Sequence, residues 1–319
     1  MSTKEATMTA DQDAQVEQIQ HIDMTPGSEA WRKLITASKV SAILGVSPGQ
    51  WESRRSLWLK MSGAIPWDDG RNTAEKSRGH YLENGILDWW CDQHPEWATQ
   101  TARQWLARRP DLMWAAATPD LAAWSENDDP LGAPRVVVDA KTSRDDAEWG
   151  TPGTDEVPLH YLAQMMWAMH LSGARVAFIA LLTQFLDLRE YRIDYDAGLA
   201  ADIETQCHTF ITSVSEPGAV PPLDNTQATW RAEKQLHPDI DRGKAVEIDE
   251  ALARQFVAIK EHEADVRLIQ SQIREAMGDA RLATFGGVQI ARRQPNAHGV
   301  SLVAIAKTLP MPAEGTEAA

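Results

Sequence analysis

The stretch Arg135 to Thr142, RVVVDAKT, constrains the fold of this chain more than any other. With its three consecutive β-branched residues, Val136-Val137-Val138, the stretch reads as a strand that opens on an apolar run. Asp139-Ala140-Lys141 continues the same strand. Residues two apart on a strand share a face, so Asp139 and Lys141 project side by side while Ala140 turns away. A charged pair has no packing reason to follow an apolar run, because a buried ion without a partner is strongly unfavourable. The pair therefore points to chemistry; the bland alternative is a surface strand carrying a salt bridge.

A second acid belongs with it. Leu112 to Thr118, LMWAAAT, is predicted as a strand closed by Pro119-Asp120, and the polar, Pro/Gly-containing stretch SENDDPLGAP connects it to the valine strand as a long hairpin. Pairing of the two strands brings Asp120 beside Asp139, and two neighbouring carboxylates repel unless a cation sits between them. Mg²⁺ prefers such hard oxygen ligands and keeps waters for a phosphate substrate, with Mn²⁺ the other candidate and the Ala140 carbonyl a further ligand. Hydrolysis of a phosphodiester needs a metal to polarise the phosphate and activate water, and a positive group to hold that water or offset developing charge. Asp120, Asp139 and Lys141 supply those parts. By itself, a Pro-Asp followed after eighteen residues by Asp-x-Lys is a weak signal.

The rest of the pattern predicts an α/β core with a mixed sheet. Thr36 to Gly45 reads as a short capped helix ended by its glycine, and Ser53 to Met61 as a second. Lys76 to Trp90 carries Leu82, Ile86, Trp89 and Trp90 at helical spacing, which leaves Glu83 beside the buried stripe and its role open. His160 to Gly173 is a largely buried helix with Leu162, Met165, Met166 and Met169 inward. Arg175 to Leu182 is a central strand, and Leu188 to Tyr195 alternates as a more exposed one. Beyond a Pro-rich linker, EPGAVPPLDN, a long helix over Ile248 to Met277 bears a heptad-like stripe, and a hairpin over Leu282 to Arg293 turns at Gly286-Gly287. The expected organisation is an acidic disordered tail at 1–25, a core at 26–215, a helical arm with hairpin at 216–309 and a disordered tail at 310–319.

Charge argues at first against a nucleic-acid partner, since the net value is −15 and DNA is gripped by Lys and Arg. Its distribution argues the other way. Arg32 to Lys60 holds six basic residues (Arg32, Lys33, Lys39, Arg54, Arg55, Lys60) against Glu52 alone, and a local basic face suffices to hold a phosphate backbone. Arg54 and Arg55 are candidates for phosphate contact, or else a solvated helix surface. Cys91 and Cys207, far apart and outside any CxxC, do not form a disulfide scaffold or zinc ribbon. The N-terminus has no apolar signal region, and the longest apolar run, Val176 to Leu182, falls far short of the roughly 20 residues of a membrane span. A cytoplasmic home with no membrane partner is expected.

Six ordered blocks then match a family. They are Ile35-Thr36-Ala37-Ser38 with Ile43-Leu44-Gly45; Arg78-Gly79 with Leu82-Glu83; Ala117-Thr118-Pro119-Asp120; Asp139-Ala140-Lys141-Thr142-Ser143; Trp149-Gly150; and Pro158 with His160-Tyr161-Leu162-Ala163-Gln164 and Met169-His170. From Glu29 to Tyr195 the chain resembles the YqaJ-type viral recombinase family, lambda-exonuclease-like PD-(D/E)XK nucleases. The resemblance implies a restriction-endonuclease-like α/β core in which Asp120 and Asp139 bind metal and Lys141 stands beside the attacking water. It further implies that Glu83 is the first-motif acid, reaching metal directly or through water, that Gln164 reaches into the site from its helix, and that Ser38 contacts a backbone phosphate. Arg32 and Lys33 are the candidates for a 5′-phosphate-binding arginine. Asp139 stands where glutamate is usual, Asn84 where proline is common, and Leu121-Ala122-Ala123 where a glycine normally follows the acid.

The activity so implied is Mg²⁺-dependent exonuclease digestion of duplex DNA ends, taking the 5′ strand and leaving a 3′ single strand for a separate annealing protein. A homo-oligomer, even a ring with a basic bore, would reconcile DNA binding with −15. The rivals are an endonuclease of the same superfamily and a catalytically silent DNA-end-binding scaffold. Trp149, in a glycine-containing loop, is a further candidate for stacking on a base.

Overall fold

The computed structural model describes residues 28–304 apart from 68–72, 102–108, 131, 146, 237, 240–242, 244, 286–287 and 297–298. The expected disordered tails, 1–25 and 310–319, lie outside the described residues, as does the Gly286-Gly287 turn. Contacts divide the chain into two units, Met1–Ile240 and Asp241–Ala319.

In the first unit the elements run α1 (Glu29–Lys33), β1 (Ile35–Thr36), α2 (Ala37–Leu44), α3 (Arg54–Met61), α4 (Thr73–Gln93), β2 (Trp97–Thr101), β3 (Ala115–Ala116), β4 (Leu121–Ser125), β5 (Val136–Thr142), α5 (Leu159–Ser172), β6 (Val176–Leu182), β7 (Leu188–Asp194), α6 (Ala197–Ser213) and α7 (Gln227–Glu233). Five strands form the central sheet in the order β2-β4-β5-β6-β7. Only β5 and β6 run parallel, joined over the sheet by α5; the other pairs are antiparallel. This is the mixed α/β sheet flanked by helices that the sequence pattern predicts.

Alternation along β5 assigns its two faces. Val136 and Val138, with Phe178 and Ala180 of β6, pack under Ile86, Leu87 and Trp90 of α4. Val137, with Ile179 and Leu181, packs with Met165, Met166, Trp167 and Met169 of α5. Burying each such side chain contributes about 1.5–3 kcal/mol, enough to fix the register of the whole sheet. Gly173 closes α5 at φ 81°, where an added Cβ would also meet Ala133 Cβ at 3.0 Å. The helix thus ends where its chain must drop into β6.

Four expectations change. The strand expected over Leu112 to Thr118 shrinks to β3, which pairs in parallel with β1, and the hairpin partner of β5 is β4, which starts after Asp120. Pro119 cannot donate to a ladder, so it separates the two segments, and Leu121 to Trp124 are buried on both faces and make the better strand. The buried stripe of α4 is Ile86, Leu87 and Trp90, whereas Leu82 is 37% exposed: the helix meets the sheet only through its C-terminal half. The core also extends further than residue 215, because α7 docks on α3. Ser53 Oγ and Thr229 Oγ1 share a 2.6 Å hydrogen bond there, and Arg55 Nε donates to Glu233 Oε1 at 2.6 Å. Finally, α6 and α7 are elements for which the sequence gives no strong apolar stripe.

In the second unit a 28-residue helix, α8 (Glu250–Met277), precedes β8 (Leu282–Phe285), β9 (Val288–Asn296) and β10 (Gly299–Ala304). The three strands form one antiparallel sheet, one strand more than the predicted hairpin. Among the described residues no helix is long and apolar enough to cross a membrane, and Cys91 and Cys207 are free thiols.

Candidate active site

The β4–β5 ladder pairs Ala123 with Val136, Ala122 with Val137 and Leu121 with Val138. One step further in the same register, Asp120 faces Asp139. There the ladder stops and side chains take over: Asp120 Oδ2 accepts the Ala140 N–H at 2.8 Å. Asp139, on the α5 face with Val137, is only 2% exposed. Its Oδ2 accepts from Lys141 Nζ and, at 3.0 Å, from Gln164 Nε2 of α5. The side chains of Asp120, Asp139, Lys141 and Gln164 therefore come together, with the Ala140 backbone between the two acids.

Two acids and one ammonium at the end of a buried strand leave the group one negative charge in excess. Burial raises the Asp120 carboxyl well above the ordinary carboxylate range, and the charges of Asp139 and Glu83 add to the rise against the pull of Lys141. Burial acts to lower Lys141, but the charges of Asp139 and Asp120 outweigh it and hold the amine above the ordinary lysine value. Lys141 is therefore a fixed cation, 18% exposed, with its Nζ 5.3 Å from the ring centre of Tyr161. Tyr161, which no spacing rule singles out, is pushed up by burial, Lys141 opposing and Asp139 adding to the shift.

Glu83 stands on α4, the helix covering the opposite face of the sheet. Its carboxylate is half-buried, 3.8 Å from His80 Nδ1, and its charge reaches Asp120. Among the described residues no three His, Cys, Asp or Glu side chains converge as a metal-binding group; the tight acidic cluster is the Asp120–Asp139 pair, with Glu83 further out. The pair fits a hard cation by its donor chemistry, because buried like charges with oxygen ligands on two adjoining backbones are relieved by a divalent ion.

Several residues of the basic stretch have partners within the chain. Lys39 is 4% exposed, donates to the carbonyls of Trp31 and Leu34, and lies over the Trp31 ring; burial lowers it to about 7, against the Glu52 charge. Lys60 pairs with Glu52, and Lys33 with Glu29. Arg54 donates to the Ile43 carbonyl at 2.9 Å, holding the end of α2, and Arg55 ties α3 to Glu233 and the Pro221 carbonyl. Ser38 is exposed in the first turn of α2, 3.3 Å from Thr36 Oγ1, and Arg32 is half-buried. Trp149 is 9% exposed and packed between Tyr161 and Tyr191, so it is a core residue and not an open stacking surface. From this arrangement Arg55→Ala is expected to lower the stability of the first unit by roughly 1–2 kcal/mol, since it leaves Glu233 and a carbonyl short of a donor. A denaturant midpoint measures this; a DNA affinity whose salt dependence falls by about one phosphate contact would instead restore Arg55 to the phosphate-binding set.

The chain is similar in structure to LHK-Exo in complex with dAMP, with TM-score 0.45 and 18% identity over 58% of this chain and 90% of that one. It is similar to the alkaline exonuclease LHK-Exo from Laribacter hongkongensis at TM-score 0.43 and 18% identity, again over 58% and 90%. For a phage-related exonuclease from Haemophilus somnus 129PT the values are 0.42 and 14%, over 57% and 92%. No curated protein matches the chain. The YqaJ-like viral recombinase domain family matches residues 28–175, a span that contains Asp120, Asp139, Lys141, Gln164 and Glu83 together. Residues 28–175 are therefore similar to the YqaJ-like viral recombinase domain.

Proposed function

We propose that the chain is a Mg²⁺-dependent DNA exonuclease that hydrolyses phosphodiester bonds at duplex ends, digesting the 5′ strand and leaving a 3′ single strand for an annealing partner. The observation that carries this reading is the meeting of Lys141 and Gln164 on one oxygen of Asp139, with Asp120 in register opposite. The YqaJ-like match over 28–175 supports it. Asp120, Asp139 and the Ala140 carbonyl would hold the cation, with Glu83 one water further out; Mn²⁺ suits the same oxygens. When bound, the cation polarises the phosphate and lowers the pKa of the attacking water.

The chain's own residues do the rest. Lys141, a permanent cation, offsets charge developing on the phosphate and orients the water beside Asp139. Gln164 fixes the Asp139 carboxylate so that its other oxygen stays turned to the ligand, which limits the reorganisation needed at reaction. Ser38 and Arg32 supply backbone-phosphate contacts at the first turn of α2 and in α1. Assembly as a homo-oligomer, a ring included, would gather such sparse positive groups around one duplex, and the cytoplasm of a bacterial host is where the substrate lies.

The test uses native chain, Mg²⁺ and two substrates of equal length, a linear duplex and a covalently closed circle. Shortening of the linear form from its ends with the circle left intact is expected. Nicking of the circle would replace the reading by an endonuclease, and inertness on both would leave an end-binding scaffold.

A further inference from the structure

Trp51 lies outside the machinery described so far. It sits in the connection between α2 and α3 with 54% of its surface exposed. The segment is nevertheless held firmly. The Trp51 N–H donates to the Pro48 carbonyl at 2.8 Å, the Gly49 carbonyl accepts from the Ala228 N–H at 3.0 Å, and the Arg231 guanidinium donates to the Gln50 carbonyl. Helix α7, by its docking on α3, thus fixes the position of one open indole.

The indole is the outer end of a row of rings. Trp51 meets His160 edge to face, with centroids 5.2 Å apart and planes at 87°. The His160 ring lies 4.0 Å from that of Tyr161, and Tyr161 lies under Lys141. The His160 ring thus packs between those of Trp51 and Tyr161, with Nε2 buried and, among the described residues, without a hydrogen-bond partner. The row leads from the Asp139–Lys141 pair to solvent within a few ring widths. An uncharged indole cannot hold a phosphate; it offers a flat apolar face at the outer end of the row that begins beside Lys141.

We propose that Trp51 is a stacking platform for a nucleobase of the strand whose phosphate is cut, positioning that strand over Asp120 and Asp139. The inference rests on the nuclease reading. Stacking is indifferent to base identity, which suits an enzyme that must pass along any sequence. Trp51 acts on binding and register, and it is not one of the groups that carry out the hydrolysis.

The experiment is a cycle between ring and base. KM and kcat are measured on linear duplex with Mg²⁺ for the native chain, Trp51→Ala and Trp51→Phe, on intact ends and on ends with an abasic site placed at each terminal nucleotide in turn. Trp51→Ala is expected to raise KM about 5- to 100-fold with kcat changed by less than about threefold, and Trp51→Phe to recover most of the loss. At one position the abasic site should raise KM for the native chain and add nothing for Trp51→Ala, because the two changes remove the same contact. Additive penalties at every position, or a KM for Trp51→Ala within about twofold of native, would overturn the proposal while leaving the nuclease reading intact. A native chain inert on linear duplex would instead remove that reading, and this one with it.

Discussion

Lys141→Ala is expected to slow hydrolysis of linear duplex by roughly two to four orders of magnitude while leaving the fold in place. The reason lies in the charges gathered at the end of β5. Lys141 is the cation that touches Asp139, and the charges of both acids hold its amine protonated above the ordinary lysine range once they overcome burial. Its part in the proposed reaction is to place positive charge beside the phosphate and the water. Without it, the oxygen of Asp139 keeps only the Gln164 donor, and the site loses its compensation for charge developing in the transition state. Single-turnover rates at saturating Mg²⁺ measure the chemical step, and circular dichroism checks the fold. A Lys141→Ala rate within about tenfold of native would remove Lys141 from the catalytic set, and equal inertness of both proteins would favour the scaffold reading.

What the sequence made legible follows from where periodicity is strict. The D-x-K spacing, the valine run and the Arg175 to Leu182 strand each depend on alternation within one strand, and the structure puts Asp139 and Lys141 on one face as that rule requires. Asp120 was legible as a partner of Asp139, although for a reason shifted by a few residues: it precedes its strand, and the pairing partner is Leu121 to Ser125. Helix α6 shows a weaker signal that was present and unread. Its buried positions Ala200, Ile203, Cys207 and Phe210 recur at steps of three and four behind an Asp196 cap, but Ala and Cys carry little apolar weight in a pattern search.

Charge was the least legible property. Counting lysines and arginines between 32 and 60 gave a basic face, yet pairing with Glu52, Glu29 and Glu233 and the burial of Lys39 consume most of it. Glu233 lies 178 positions from Arg55 in the chain, where local counting has no access to it, whereas Glu52 and Glu29 stand within eight positions of their lysines. Trp149 departs from its expected role for a similar reason. Trp149 proved buried between Tyr161 and Tyr191, and an exposed indole, Trp51, stands in a loop that α7 holds from a distant part of the chain.

Asp120→Asn offers a prediction whose two arms have opposite signs. Folding raises the Asp120 carboxyl through burial first and the Asp139 charge second. A carboxyl whose folded pKa lies above its unfolded value destabilises the fold when ionised: nothing is lost below the unfolded value near 3.8, and stability falls as pH rises from there toward the folded value. In EDTA at pH 7 the uncharged amide should therefore melt higher than native, by about 2–4 °C for each kcal/mol of repulsion and desolvation removed, with the difference closing as pH approaches 4. In Mg²⁺ the order should reverse. The native chain gains RT ln(1 + [Mg²⁺]/Kd) from binding to the folded state alone, while the amide, lacking one anionic ligand, gains little and loses hydrolysis by about two orders of magnitude or more. Thermal melts of both proteins across pH, with EDTA and with Mg²⁺, read every arm together. Melting that ignores Mg²⁺ in the native chain would mean that the acid pair holds no divalent ion. An amide variant less stable than native in EDTA would mean that Asp120 acts chiefly as the acceptor for the Ala140 N–H, a structural cap on the end of the β4–β5 ladder.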